Sequence, residues 1–243
     1  MKRDQVFEGT TARASDFAFT KEVADVFDDM LVRSVPLYLE QQAMIKDFAR
    51  RFYIPGTRIY DLGSSTGTTL LNIAAELKDK KPVLVGYDNS TPMIEKARAR
   101  IKEKQCEGMI EIRNGDINDV QLESCSFVTM CWTLQFVRPL QREALIQRIY
   151  EALEANGALV VTEKVLTNSS DMNRLFVDLY YEFKRRNGYS DEEIVRKREA
   201  LENVLIPYRI DEDMALFRRA GFRIIETFFQ WYNFIGFLCV KQP

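Results

Sequence analysis

Between Arg58 and Val165 short apolar segments alternate with stretches of helical length, and that alternation restricts this chain more than any other feature of its sequence. Arg58-Ile59-Tyr60-Asp61-Leu62 reads as a strand that ends in a turn at Gly63, and a helix follows over Thr66–Lys78. Val83–Asp88 reads as the second strand, Thr91 to about Lys104 as the second helix with Pro92 in its first turn, and Ile110–Arg113 as the third strand. Phe127–Leu134, a helix over Pro139–Leu153 with Gly157 as its left-handed cap, and Ala158–Val165 complete the series. Strands separated by helices of about 10–15 residues make βαβ units and hence a parallel sheet.

The last third breaks the rhythm. Helices are expected over Asp171–Asn187, Asp191–Val204 and Asp211–Ala220, the last stopping at Gly221, and then strands over Arg223–Phe229 and Phe234–Val240 around a Trp231-Tyr232-Asn233 turn. Two strands joined so tightly must be antiparallel, so the expected fold is α/β, a seven-stranded, mostly parallel sheet. Helical segments near Lys21–Met30 and Pro36–Phe52 precede it as a lid. The 243 residues form one domain in this reading, divided into a lid (1–54), a cofactor-binding core (55–165), a helical insertion (166–210) and a C-terminal helix with edge strands (211–243).

Composition narrows the chemistry. A net charge of −2 provides no general basic field for a nucleic-acid backbone, so direct nucleic-acid binding is not expected. Cys106, Cys125, Cys131 and Cys239 are scattered without metal-ligand or disulfide spacing, which fits a reducing cytoplasm and predicts no metal. The segment through Lys2, Arg3, Asp4, Glu8, Arg13 and Asp16 lacks the apolar stretch of a secretory signal, and no run is long enough to span a membrane. There is no histidine, so any general base must come from another side chain or from a substrate.

In an open α/β sheet the ligand sits beyond the carboxyl ends of the strands. After the first strand, Asp61-Leu62-Gly63-Ser64-Ser65-Thr66-Gly67 is a D-x-G-x-x-x-G loop. Glycine admits close approach of backbone to ligand, and the helix start that follows offers unpaired N–H groups. The loop lacks the lysine of a phosphate-binding P-loop and the G-x-G-x-x-G spacing of a dinucleotide site, so a nucleoside without phosphates suits it better. Asp88, with Asn89 beside it, ends the second strand where a carboxylate can accept both ribose hydroxyls, and Gly115-Asp116-Ile117 offers a carboxylate and an apolar side chain to adenine. Singly, each is a weak signal, and an Asp at a strand end is more often a turn or cap residue; in this order they indicate an adenosyl ligand.

The order of these motifs resembles class I S-adenosylmethionine (SAM)-dependent methyltransferases over about residues 56–241. Arg33-Ser34-Val35-Pro36, Tyr60-Asp61-Leu62-Gly63, Asp88-Asn89-Ser90, Thr133-Leu134-Gln135-Phe136, Phe183-Lys184-Arg185, Asn187-Gly188-Tyr189-Ser190, Lys197-Arg198 and Leu201-Glu202-Asn203-Val204 are similar to the carboxy-SAM synthase family, lid and insertion included. The resemblance implies a Rossmann-like class I methyltransferase fold and an enzyme that turns SAM and prephenate into carboxy-SAM and phenylpyruvate, the former feeding a separate tRNA wobble-uridine carboxymethyltransferase. In the mechanism it implies, prephenate loses CO2 and hydroxide as it aromatises, a base takes a proton from the sulfonium methyl, and the resulting ylide captures the CO2. It implies cofactor contacts at Tyr38, Gly63, Ser64, Ser65, Asp88, Asn89, Asp116, Ile117 and Cys131, with Arg198 as the catalytic residue that holds the new carboxylate. SAM, carboxy-SAM or S-adenosylhomocysteine is the expected bound species, and a homodimer the expected assembly. Two positions depart from the family: Ser64 stands where Cys is frequent, and Cys131-Trp132 where Asn-Phe is frequent, leaving a backbone group to serve at Cys131.

Plainer readings compete. Arg196-Lys197-Arg198-Glu199 is also what a solvated helix face looks like, and Lys184-Arg185-Arg186 is better taken as a solvated turn than as a basic patch. Phe228, Phe229, Trp231, Tyr232, Phe234 and Phe237 fit the core and interface of the edge hairpin better than a stacking platform for bases. Glu163 is a base, a contact for prephenate or, equally well, a structural carboxylate capping the next segment, and Tyr189 either a substrate contact or the seal of a helix–helix turn. The alternatives for the whole chain are a small-molecule methyltransferase and a non-catalytic SAM or S-adenosylhomocysteine binder. Arg198 separates carboxy-SAM synthesis from methyl transfer: facing the sulfonium end it favours the former, facing solvent the latter.

Overall fold

The computed structural model describes residues 3, 4, 6 and 18–243, so most of the lid's first 17 positions lie outside the described residues. Seven strands form one sheet: β1 (Arg58–Leu62), β2 (Val83–Asp88), β3 (Ile110–Asn114), β4 (Cys125–Cys131), β5 (Leu153–Lys164), β6 (Ile224–Trp231) and β7 (Phe234–Val240). The helices are α1 (Lys21–Ser34), α2 (Tyr38–Phe52), α3 (Thr68–Leu77), α4 (Thr91–Glu103), α5 (Pro139–Ala152), α6 (Ser170–Arg186), α7 (Asp191–Leu201) and α8 (Ile210–Arg219). The strand order is β3-β2-β1-β4-β5-β7-β6, with β1 to β5 parallel and β7 antiparallel to both its neighbours. Winding reverses between β1 and β4, where a crevice opens at the strand ends.

The central strands are apolar because helices cover both faces of the sheet. Ile59, Tyr60, Leu62, Phe127, Val128, Val160 and Val161 are all fully buried. One side of the core joins Tyr60, Val128, Leu159, Phe217 and Phe237; the other joins Ile59, Phe127 and Val160 to Ile45, Ile73 and Ala97. At about 25 cal/mol per Å² such burial is the main stabilising term. Phe234 and Phe237 are in the core, and Trp231 packs its ring 5.2 Å from that of Phe183, so the C-terminal aromatics serve packing.

Boundaries depart from expectation where one backbone conformation decides. Gly67 (φ 77) and Ser65 (φ 47) are left-handed, so α3 begins at Thr68 and not Thr66. Trp132 (φ 62) ends β4 at Cys131, and Leu134–Phe136 is a single 3-10 turn. Gly157 does not cap α5: the left-handed residue is Asn156 (φ 64), and α5 runs straight into β5. A Cβ on Gly157 would lie 2.9 Å from the Glu154 carbonyl oxygen and 3.0 Å from that of Ser126, so close packing against β4 is what requires the glycine. α1 extends to Ser34, closed by the Val35 N–H donating to the Leu31 carbonyl, and α7 stops at Leu201, short of Val204.

Arg33 joins the lid to the insertion. Its guanidinium donates to the Asn187 and Gly188 carbonyls, both at 2.9 Å, and lies 4.1 Å from the Tyr189 ring centre. The Tyr189 hydroxyl in turn donates to Asp4 at 2.6 Å, so Tyr189 seals the α6–α7 turn.

Away from the crevice, Arg142 of α5, Glu163 of β5 and Asp213 of α8 are each fully buried. Glu163 pairs with Asp213 and caps nothing. Burial pushes both carboxyls up, Asp213 to about 7; the neighbouring acid raises Glu163 further, and Arg142 opposes the rise in each. The two therefore share a proton near neutrality. Acids whose folded pKa is raised contribute stability that is complete below about pH 4 and is lost as pH climbs toward 7. Glu163→Gln leaves a single carboxyl facing Arg142 and removes much of that loss. Thermal unfolding from pH 5 to 8 is expected to shift in the variant's favour relative to wild type by a few degrees, at about 2–4 °C per kcal/mol for a chain of this size; an offset independent of pH contradicts the shared proton.

Candidate functional site

The carboxyl ends of β1 to β5 open into one cavity of about 500 Å³, roofed by α1 through Phe27, Met30 and Leu31. Its floor is the turn after β1. Gly63 (φ 82) presses on the loop after β4: a Cβ there would come 2.4 Å from Thr133 Oγ1. The N–H groups of Gly63 and Ser64 both donate to the Tyr87 carbonyl, at 2.8 and 2.9 Å. The next N–H, of Ser65, donates to Asp88 Oδ2 at 2.8 Å, while Ser90 N–H takes Oδ1 at 2.8 Å. Burial raises the Asp88 carboxyl and these backbone donors oppose the rise. A carboxylate so held keeps lone pairs for a ligand in the cavity it lines.

Asp28 holds the roof to the floor. Its Oδ1 accepts from Thr66 Oγ1 at 2.8 Å and Thr68 Oγ1 at 3.0 Å, and Arg100 pairs with its other oxygen at 3.2 Å. At the end of β3, Asp116 accepts from the backbone and side chain of Asn118, at 2.9 and 2.8 Å, which orients the carboxylate beside Ile117.

Tyr38, Gly63, Ser64, Ser65, Asp88, Asn89, Asp116, Ile117 and Cys131 all line this single cavity. Ser64 Oγ is buried on the cavity wall with no partner, an orphan that a polar ligand atom would satisfy. The Cys131 thiol accepts from Thr69 Oγ1 at 3.8 Å and burial raises its pKa, so it stays protonated. The tenth residue is elsewhere: Arg198 is exposed on α7 and does not line the cavity of its own chain. Successive helix positions point about 100° apart, and it is the preceding Lys197, 7% exposed, that faces inward.

Sequence reasoning passed over several lining residues. Asp61, 2% exposed, takes a 2.7 Å hydrogen bond from Thr129 Oγ1, and burial with the nearby Asp88 charge pushes it up to about 7; its signal was present as the first letter of the glycine-loop motif. Lys164, at the end of β5, and Tyr180 and Lys197, on the insertion helices, line the opposite wall. Burial, with Lys197 adding, lowers Lys164 to about 7, and burial lowers Lys197 to about 8. Lys184 is 4% exposed and not part of a solvated turn. The cavity is thus acidic at β1, β2 and β3 and basic at β5 and α7, which suits a cationic adenosyl compound on one side and an anion on the other. Among the described residues, no three His, Cys, Asp or Glu side chains group as a metal site.

A family model described as a methyltransferase domain matches residues 59–157. The chain is 49% identical over 242 residues to the carboxy-S-adenosyl-L-methionine synthase of Methylococcus capsulatus, covering 99% of this chain and 100% of that one. It is 42% identical over 243 residues to the protein of the same name from Desulfotalea psychrophila, covering 100% and 99%. Among solved structures, a putative SAM-dependent methyltransferase from Methanococcus maripaludis aligns with a TM-score of 0.63 at 18% identity, covering 97% of this chain and 98% of that one. Human N-acetylserotonin methyltransferase in complex with SAM aligns with a TM-score of 0.62 at 14% identity, covering 92% and 56%. These two likenesses show the fold.

Asp88→Ala removes the acceptors assigned to the ribose. Affinity for S-adenosylhomocysteine, measured by calorimetry, is expected to fall by about 30-fold to 1,000-fold, the equivalent of about 2–4 kcal/mol for two charge-assisted hydrogen bonds, while the protein stays folded. Unchanged affinity contradicts the placement of the nucleoside.

Proposed function

The chain belongs to the carboxy-S-adenosyl-L-methionine synthase family, and on that footing we propose that this SAM-dependent transferase converts SAM and prephenate into carboxy-SAM and phenylpyruvate. The observation that carries the reading is the division of charge within one cavity, acidic at Asp61, Asp88 and Asp116 and basic at Lys164 and Lys197. A neutral methyl acceptor has no use for a basic wall, whereas an organic dianion does.

The balance of the proposed reaction is simple. The ring carboxyl of prephenate leaves its carbon and joins the methyl carbon of SAM; the ring hydroxyl leaves with the methyl proton as water. SAM supplies an acidic methyl group beside a sulfonium. The chain orients and shields: Asp88 fixes the ribose, Asp116 and Ile117 meet adenine, and Phe19, Phe27, Met30 and Leu31 place apolar surface over the cavity. Excluding water keeps CO2 from hydration and a released base from exchange with solvent. A base drawn from the substrate lets a chain without histidine run this chemistry.

Arg198 is kept as the proposed partner of the new carboxylate on the family resemblance, not on its place in this chain, where it faces outward. That outward position favours the second reading, methyl transfer to a small molecule. The proposed setting is the cytoplasm, with the product passed to a tRNA carboxymethyltransferase; no helix among the described residues is long and apolar enough to cross a membrane. For the proposed homodimer, Met172, Leu175 and Tyr232 supply exposed apolar surface.

Incubation with SAM and prephenate without added metal is expected to yield carboxy-SAM, heavier than SAM by one CO2, together with phenylpyruvate, both read by mass spectrometry. Arg198→Ala is expected to lose about 30-fold or more in turnover, the scale of one charge-assisted contact, with little change in S-adenosylhomocysteine affinity. A wild-type protein that methylates an acceptor and never carboxylates SAM refutes the proposal; full turnover in Arg198→Ala removes only that residue.

A further inference from the structure

Three lysines cluster about Tyr180 and Tyr189, Lys184 and Lys197 buried and Lys164 half-buried. Lys164 Nζ lies 4.3 Å from the centre of the Tyr180 ring and 5.1 Å from that of Phe234. Lys184 Nζ lies 5.3 Å from the Tyr180 ring centre, and Lys197 Nζ donates to Ser34 Oγ at 3.5 Å and lies 5.7 Å from the Tyr189 ring centre. Among the described residues none of these amines is ion-paired. Asp4 and Glu193 act on Lys184 and Lys197 only from a distance, each hydrogen-bonded to another group, Asp4 to the Tyr189 hydroxyl at 2.6 Å and Glu193 to the Ser190 N–H at 2.7 Å, and no acid among the described residues faces Lys164. Buried cations without an anionic partner are costly, and two of the three, Lys164 and Lys197, open onto the cavity.

Resting on the proposed reaction, we infer that Lys164, Tyr180 and Lys197 form a subsite for the carboxylate of an aromatic-sized 2-oxo acid, the one carboxylate that the reaction leaves in place. Topology puts the subsite at the right end of the cavity. β5 is two strands from β1, so the end of Lys164 lies roughly 10 Å across the sheet from the glycine loop, room for a ring between the cofactor and the amines. Chemistry selects the carboxylate. A cation held against the departing carboxyl would stabilise its charge and oppose its loss as neutral CO2; held against the side-chain carboxylate, it anchors the acid without that penalty. Tyr180, Phe234 and Trp132 supply the ring surface, with centroids 4.9 Å apart for the first pair and 5.6 Å for Phe234 and Trp132.

Phenylpyruvate carries the retained carboxylate and lacks the departing one, so it probes the subsite directly. Titrated by calorimetry into protein saturated with S-adenosylhomocysteine, it is expected to bind at least about tenfold more weakly to Lys164→Met and to Lys197→Met than to wild type, in line with one lost charge-assisted contact. Lys164→Arg, which keeps the charge, is expected to recover part of the affinity. Phenylacetone, without a carboxylate, is expected to show no dependence on either lysine, and S-adenosylhomocysteine affinity to stay within about twofold throughout. Wild type binding no phenylpyruvate, or both methionine variants binding it like wild type, overturns the subsite. The two proposals fail separately: lysine-dependent binding without carboxy-SAM formation leaves the subsite and removes the reaction, while carboxy-SAM formation with lysine-independent binding does the reverse.

Discussion

The carboxylate of Asp88 is what the site is built around. One of its oxygens takes the Ser65 N–H and the other the Ser90 N–H, so the turn after β1 and the turn after β2 end on the same group. With Gly63 and Ser64 both donating to the Tyr87 carbonyl, the glycine loop has one position relative to β2, and the left-handed Ser65 and Gly67 follow from it. The loop can then lean on Thr133 because Gly63 has no Cβ to obstruct it. Asp28 extends the same frame upward, tying the lid helix to Thr66, Thr68 and Arg100. The cavity floor and its helical roof are thereby held together by a few hydrogen bonds to two carboxylates and one carbonyl.

On that frame the cavity is polarised. Three aspartates occupy the side of β1 to β3, and lysines the side of β5 and α7. Burial raises Asp61 and lowers Lys164, each to about 7, so these two groups are sensitive to the charge of what they face. A sulfonium lowers the cost of ionised Asp61, and a carboxylate that of protonated Lys164. Binding two oppositely charged partners in one closed space then satisfies groups that burial alone penalises.

Much of this was legible in the sequence. The βαβ rhythm reports the parallel sheet directly, and β2 and β7 fall on the expected residues because both are apolar runs with sharp ends. The convergence of Gly63, Asp88 and Asp116 on one cavity was legible too, since they lie at strand ends in order and topology alone carries them to one crevice. The basic side was not. Lys164 falls inside the expected Ala158–Val165 strand with nothing to single it out, Lys184 reads as part of a solvated turn and Lys197 as one of four charges on a helix. Only the way α6 and α7 fold back over the strand ends buries Lys184 and turns Lys197 toward the cavity while Arg198 points away. Helix phase relative to a tertiary neighbour is not encoded in a charge run, and neither was the preference for Asn156 over Gly157 as the left-handed residue, which depends on the approach of β5 to β4.

In the proposed reaction one cavity moves a carboxyl group from an organic acid on its basic side to the cofactor on its acidic side. The most direct measurement follows carbon-13 from the ring carboxyl of prephenate in the presence of excess unlabelled bicarbonate. The label is expected in the carboxymethyl group of carboxy-SAM, because CO2 released beneath the apolar roof of Phe27, Met30 and Leu31 is captured before it exchanges with solvent. Carboxy-SAM without the label, or label recovered only as bicarbonate, contradicts it.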